Sequence, residues 1–414
     1  MHVAFVLPRF YPYHGGYENS LLSLARYMVA HGHRVTVFTT VANDLEAFWI
    51  PGFKTYPQED ISVDGVVIRR FPICYNKLRR RSTRPLGAVP YWRWQAQYRR
   101  PSFRIPGLLE ALRDSGADLI HIGPLPYTNL MYYGLHGAEL RHVPVVATPC
   151  THLGEEGNDE VARHYVQPYQ IDLLKRCAKV FCMTKTELRK LEEFGVTAEK
   201  LVIGHGIDLR NATGGNPDYF RQRYAVDGPV VLHLGMKAFD KGSQTLVEAM
   251  KLLWSRGSNA WLAMAGPSLS AFDEFIATAG KDCPRLLNLP PFADKEKPDF
   301  LASATLVAQP SRVESLGLVL VEAWANRKPV IAADIAVSRE LVTDSGGGLI
   351  VPFGNAEKLA EAIETLVREP ALRERMGAGG YRTAAAYQGE APWQRTTEEF
   401  ARVVALSRNS NAIS

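Results

Sequence analysis

Short apolar runs alternate with stretches of helical period along almost the whole chain. The first run, His2–Pro8, ends at the glycine turn Gly15–Gly16. An amphipathic stretch, about Tyr17 to His31, then places Leu21, Leu24, Ala25 and Met28 on one face. Further strand-like runs fall at Arg34–Thr40, Val66–Phe71, Asp118–Ile122, Val143–Thr148, Lys179–Met183 and Leu201–Gly204. A second series begins at Pro229–Gly235 and continues through Ala260–Gly266, Leu286–Leu289, Thr305–Gln309 and Pro329–Ala333. Apolar runs separated by helices predict parallel sheets covered on both faces. The polar stretch Asp208–Gly228, with Gly214, Gly215, Asn216 and Pro217, reads as a hinge. The expected architecture is therefore α/β, with two Rossmann-like domains facing each other across a cleft. Residues 1–208 would form the first domain and 209–390 the second, with 391–414 a final helix crossing back to the first. Ligands of such sheets bind beyond the carboxyl ends of the strands, so the cleft is the expected site.

The sharpest local pattern is Pro310–Ala323, where a strand ends, a loop carries Glu314, and Gly317–Leu318 open a helix containing Glu322. A helix N-terminus presents free N–H groups and the positive end of a dipole, which suits a diphosphate. Gly317 lets that backbone approach a ligand closely. Glu322 can accept hydrogen bonds from ribose hydroxyls. Two glutamates near a helix start can equally serve capping and the dipole alone. Lys237 and Lys241 follow the strand that ends at Gly235, and there they would neutralise a departing nucleoside diphosphate. Two solvated surface lysines are the plainer alternative.

The chain has 414 residues, 46% of them hydrophobic and 22% charged, an ordinary globular composition large enough for more than one core. No apolar run is long enough to span a membrane, and His2–Pro8 reads as a buried strand, not a signal peptide. The five cysteines, Cys74, Cys150, Cys177, Cys182 and Cys283, are scattered without a Cys-x-x-Cys pair. Reduced thiols in a cytoplasmic protein are expected, and no zinc site. No two aspartates are separated by a single residue, so no Asp-x-Asp metal motif is present.

The net charge of +5 is unevenly spread. Eleven basic residues and no acidic ones lie between Arg69 and Arg104, so the rest of the chain is net acidic. Arg79, Arg80 and Arg81 are followed by Trp92 and Trp94 in an aromatic, arginine-rich stretch. Such a mixture suits an anionic membrane interface, and a packed loop with solvated arginines is the alternative. Nucleic acid is not the expected partner, because no recognition motif accompanies the patch.

From about Val231 to Tyr387 the chain resembles the donor domain of the family-four glycosyltransferases, retaining enzymes of the GT-B fold. The residues that carry the resemblance are Glu314-x7-Glu322, Gly235 with Lys241–Gly242, Ala265–Gly266–Pro267, Lys328–Pro329–Val330–Ile331 and Gly347–Pro352. In the first half, Gly15–Gly16 and His205–Gly206–Ile207–Asp208 match, and Trp393 begins what resembles the family's last helix. The likeness is weakest between Val41 and Gly116. It implies that Lys241, Ser315 and the amides of Leu316, Gly317 and Leu318 hold the diphosphate, with Gly235 and Lys237 beside them. It also implies Glu322 on the ribose, Phe292 near the base, Glu314 and His152 beside the transferred sugar, and Gly16 letting the first domain close. Tyr17 and the basic segment fall on the acceptor side.

The expected activity is metal-independent, retaining transfer of a sugar, a hexose, from a UDP- or GDP-sugar such as GDP-mannose. The acceptor is expected to be a glycan, lipid-linked or anionic, with no cofactor beyond the donor. The expected location is cytoplasmic, peripheral on the inner face of a membrane through residues 69–104. A nucleotide-sugar epimerase, a phosphorylase, or a non-catalytic nucleotide-sugar-binding protein at a membrane are the competing readings. Three departures from the family pattern stand out. Met236 replaces the usual arginine, Arg327 replaces a glycine, and Pro290–Pro291 occupy the place of a glycine near the base.

Overall fold

The computed structural model describes the chain except for residues 14, 44, 49–50, 53, 76–102, 126, 159, 205, 282 and 414. Two sheets organise it. The first is built from β1 (His2–Val6), β2 (Arg34–Thr40), β3 (Asp60–Val63), β4 (Val66–Phe71), β7 (Leu119–Ile122), β8 (Val145–Ala147), β9 (Lys179–Cys182) and β10 (Lys200–Val202). Their order is β10-β9-β8-β7-β1-β2-β4-β3, and β5 (Cys74–Tyr75) pairs with β6 (Phe103–Arg104) separately. The second sheet contains β11 (Val230–Leu234), β12 (Trp261–Ala265), β13 (Leu286–Leu289), β14 (Leu306–Gln309), β15 (Val330–Ala333) and β16 (Gly348–Val351). Its order is β13-β12-β11-β14-β15-β16.

Every pairing in the two large sheets is parallel except β3 with β4. β1, β7 and β11 are buried at every position, which is why they read as continuous apolar runs and not as alternation. β3, by contrast, is an edge strand with an exposed, polar pattern, and its sequence carries no strand signal. The expected helix at Tyr17–His31 is found at Gly16–Ala30, with Leu21, Leu24, Ala25 and Met28 buried.

The strand orders decide where ligands go. In the second sheet the chain winds outward one way from β11 and the other way from β14, so the adjacent loops after these two strands leave a crevice. In the first sheet the same reversal falls between β1 and β7. The segments that follow β1, β7, β8, β11 and β14 carry Gly16, Gly123, His152, Lys241 and Glu314 respectively.

The last helix, Glu390–Ile413, packs on the first sheet and not on the second. Phe400 is fully buried against Phe5 and Phe181, and Trp393 donates its indole N–H to the Gly206 carbonyl at 3.0 Å. Lys179, nearly buried, donates to Glu399 at 2.7 Å and pairs with Glu199. A buried ammonium needs such partners, since unpaired it would lose its hydration without compensation.

Candidate active site

The loop after β14 is shaped by local chemistry. Ser311 donates its hydroxyl to the carbonyls of Asp240 and Val313, and its own turn is closed by Val313 N–H on Ser311 Oγ. Gly317 then takes φ +81°, a left-handed conformation that suits glycine, and caps the helix Leu318–Ala325. The helix begins just after the loop that leaves the carboxyl end of β14, so its N-terminus, the end that suits an anion, lies on that side of the sheet. Gly235, at φ +120°, leaves open space where a Cβ would stand. Behind it, a Cβ on Gly266 would lie 2.2 Å from the Gly235 carbonyl, so β11 and β12 meet this closely only because residue 266 is glycine.

Lys241 ends a short turn, Phe239–Lys241. Its ammonium donates to Glu314 Oε1 at 2.7 Å and to the Val313 carbonyl at 2.8 Å. Burial pushes the Glu314 carboxyl up, but the Lys241 charge and hydrogen bond, with smaller help from His152 and Ser311, bring it below its ordinary value. Glu314 is thus a largely buried carboxylate held ionised.

His152 completes the group from the other domain. It follows β8, packs tilted against Tyr165 with 4.6 Å between ring centres, and feels the charges of both Lys241 and Glu314. Burial, and then Lys241, lower its pKa to about 4 against the opposing pull of Glu314. At neutral pH it is an uncharged imidazole, and among the described residues its buried Nδ1 has no hydrogen-bond partner.

Glu322 and Lys237 turn out to be engaged elsewhere. Glu322, the fifth residue of the helix Leu318–Ala325 and buried, accepts from Lys297 Nζ at 3.0 Å. Lys297 rises from the helix Lys297–Ser303 that follows β13, so this pair ties the expected ribose seat to the loop expected to hold the base. Phe292 in that loop packs at 4.9 Å on Phe300. Lys237 stands at the carboxyl end of β11, as expected, but does not present its charge beside Lys241. Its ammonium donates to Asn288 Oδ1 at 2.7 Å and to the Leu289 carbonyl at 2.8 Å, at the end of β13. It is 3% exposed, and burial lowers its pKa. Of the two lysines expected at a diphosphate, only Lys241 pairs with Glu314 at this end of the cleft, and Met236 carries no charge.

The first domain closes directly onto this apparatus. A Cβ on Gly16 would sit 2.8 Å from Leu318 Cδ1, in the first turn of the opposing helix. Tyr17 packs against the cores of both domains and so faces the cleft, not an outer surface. Cys150, whose thiol burial pushes well above its ordinary range, hydrogen-bonds Ser315 across the cleft, and Leu316 is buried beneath. Arg79, Arg80, Arg81, Trp92 and Trp94 lie outside the described residues.

Several participants carry no sequence signal. Glu187 is fully buried and accepts from the amides of Thr151 and Met183, both at 2.6 Å, which fixes the strand end that leads to His152. Burial raises its pKa to about 7 against those two amides. Glu340, on the helix Ala336–Ser345 of the second domain, accepts from the Lys185 and Thr186 amides, and so caps a helix of the first. Arg327 adopts φ +54° with its guanidinium 3.9 Å from the Tyr381 ring centre, a left-handed position that a glycine takes without strain. Among the described residues no group of three or more His, Cys, Asp or Glu side chains is arranged to hold a metal ion, and no helix is long and apolar enough to cross a membrane.

Two doubly wound parallel sheets facing each other, with a lysine–carboxylate pair and a helix terminus in the crevice between them, are the layout of the two-domain GT-B class. Comparison with known proteins carries this further. Residues 15–206 match the family described as glycosyl transferase 4-like domain, and residues 216–383 match glycosyl transferases group 1. The chain belongs to this family, the family-four glycosyltransferases of the GT-B fold. It is 34% identical over 161 residues to the alpha-D-kanosaminyltransferase of Streptomyces kanamyceticus, covering 38% of this chain but only 41% of that relative. It is 25% identical over 408 residues to the phosphatidyl-myo-inositol mannosyltransferase of Mycobacterium leprae, covering 97% of this chain and 96% of that one. Among solved structures, Anabaena HepE in complex with UDP-glucose superposes with a TM-score of 0.70 at 20% identity, over 97% of this chain and all of the other.

Proposed function

We propose that the chain transfers a hexose from a UDP- or GDP-sugar, with retention and without a metal, to a lipid-linked or otherwise anionic acceptor at a membrane surface. The observation that carries the reading is the Lys241–Glu314 pair facing an uncharged His152 at the N-terminus of the helix Leu318–Ala325.

In the transfer step the bond between the anomeric carbon and the diphosphate oxygen breaks, and negative charge grows on the leaving group. Lys241 and the free amides at Gly317–Leu318 meet that charge before it develops, so little reorganisation is needed. Positive charge grows on the sugar ring at the same time. The Glu314 carboxylate, kept ionised by Lys241, offsets it. His152 offers a hydrogen bond to a sugar hydroxyl without adding a cation beside the ring. A double displacement needs two suitably placed carboxylates, and same-face attack needs only the leaving phosphate. The acceptor hydroxyl then attacks on the face the diphosphate leaves, passing its proton to a departing phosphate oxygen.

A uridine donor has support from the UDP-glucose complex of HepE, and a lipid-linked acceptor from the name of the mycobacterial relative. The basic segment 69–104 supplies the anionic-surface part of the proposal. The test is release of nucleoside diphosphate from a panel of UDP- and GDP-sugars, for the wild type, Glu314→Ala and Lys241→Ala. Release from one donor, lost in both variants, supports the reading; release that survives both variants removes this cleft from the chemistry. Flotation with neutral and anionic liposomes tests the membrane part, which equal recovery with both would refute.

A further inference from the structure

Arg312 lies two residues before Glu314, and it touches all three loops that carry the reacting group's neighbours. Its backbone N–H donates to the Asp240 carbonyl at 2.8 Å, which pins the loop of Glu314 to the turn of Lys241. Its guanidinium crosses the cleft. Nε lies 3.0 Å from Glu155 Oε1, and a terminal nitrogen lies 3.2 Å from Glu160 Oε2. Glu155 and Glu160 belong to the first-domain loop that starts at His152. The Arg312 side chain is only 12% exposed, so this charge is held in place largely out of water.

The contact has company around it. The Ala336 amide donates to the Gly154 carbonyl at 2.9 Å, and Arg339 pairs with Glu156 at 3.1 Å. Leu153 and Ala162 pack against Ala336 and Val337 in a small apolar cluster of their own. The donor domain thus grips Gly154, Glu155, Glu156 and Glu160, all within eight residues of His152.

We infer that Arg312 is a positioning residue that sets His152 against Glu314 when the domains are closed, and that without it the donor binds but the transfer geometry is not assembled. The inference rests on the transferase reading of the same cleft. The physical reason is the placement of the charges. His152 is three residues from Glu155 and eight from Glu160 on one side, while Glu314 is two residues from Arg312 on the other. A pair that spans the cleft between such short tethers limits how far the two groups can drift, and a displacement of about 1 Å in a reacting assembly costs on the order of 100-fold in rate. The nucleotide contacts, in contrast, lie within the second domain and do not depend on the pair.

The test separates binding from turnover. In Arg312→Ala, kcat for donor hydrolysis or transfer is expected to fall about 10- to 100-fold, with the nucleoside diphosphate Kd, measured by calorimetry, within about twofold of wild type. The charge-swapped triple variant Arg312→Glu with Glu155→Arg and Glu160→Arg is expected to recover part of the loss, which a simple packing role would not allow. Small-angle scattering, which needs no known donor, is expected to show a larger radius of gyration for Arg312→Ala than for wild type. Unchanged scattering in Arg312→Ala, or kcat and Kd lost in parallel, overturns the inference. A wild type inactive on every donor yet more compact than Arg312→Ala would sink the transferase reading while leaving the clamp standing.

Discussion

Replacing Lys241 by alanine removes the partner that lies 2.7 Å from Glu314 and, on the proposed function, the lysine that meets the leaving diphosphate. Two separable effects follow. On turnover, the loss is that of one preorganised group opposite developing charge, about 3 kcal/mol or roughly 100- to 1,000-fold in kcat. On stability, Glu314 is left mostly buried without its cation. Breaking a fully buried pair costs about 3–5 kcal/mol. With the two side chains 25% and 18% exposed, about 2–3 kcal/mol is the more fitting figure at pH 7. For a unit of the second domain's size this corresponds to a fall of about 5–10 °C in Tm.

The pH dependence gives the sharper check. In the wild type the folded Glu314 carboxyl lies below its ordinary 4.5. Its contribution to stability is therefore present above 4.5 and lost as pH falls through the lower folded value. In Lys241→Ala burial is opposed only by the smaller effects of His152 and Ser311, and the folded value rises above 4.5, so the variant loses stability as pH rises instead. The Tm gap between the two should be small near pH 4 and widen towards pH 7, and Glu314→Gln should close much of it. Thermal melts at several pH values, alongside diphosphate release, measure both effects. A kcat within threefold of wild type, or a Tm gap that does not change with pH, would refute the electrostatic account of this pair.

Gly16→Val should lower turnover several-fold by pushing on Leu318, whose Cδ1 is 2.8 Å from the added carbon, and Leu318→Ala should restore part of it; kinetics of the single and double variants decide. His152, with a folded pKa of about 4 against an ordinary 6.5, should make stability fall as pH drops from 6.5 towards 4, and His152→Asn should flatten that limb in urea titrations. Glu187, with a folded pKa of about 7, acts in the opposite sense, its stabilising effect fading as pH rises from 4.5 through 7. Glu187→Ala should cost about 2–4 kcal/mol by leaving the Thr151 and Met183 amides unsatisfied, and a change below 0.5 kcal/mol in denaturant midpoint analysis would count against that.

The second sheet and its crevice were legible because their signals are local. A buried parallel strand is a continuous apolar run, and Gly235, Gly266 and Gly317 mark backbone conformations that few other residues take comfortably. The same holds for the Lys241–Glu314 proximity, which follows from two loops at adjacent strands. What the sequence did not disclose depends on distant partners. Lys237 looks like Lys241 along the chain, yet its ammonium belongs to Asn288 and Leu289, fifty-one and fifty-two residues on. Arg312 meets Glu155 and Glu160 across 157 and 152 residues, and Glu340 caps a helix 154 and 155 residues earlier. Such charges look like any solvated surface until the two domains are placed face to face. β3 was missed for the edge-strand reason, being short and polar.

The returning helix Glu390–Ile413 sets an order of assembly. Val3, Phe5, Val146, Phe181 and Ile203 share one apolar cluster with Trp393, Phe400, Val403 and Val404. Lys179 finds Glu399 at a separation of 220 residues, and Asp118 finds Arg408 at 290. A chain emerging from the ribosome at about 5–20 residues per second makes the first sheet early but covers this face of it last. The second domain, by contrast, has all its strands and covering helices in hand before residue 390 is made. The first of the two domains is thus covered after the second has all its elements, and any holding factor for the nascent chain has its apolar target there.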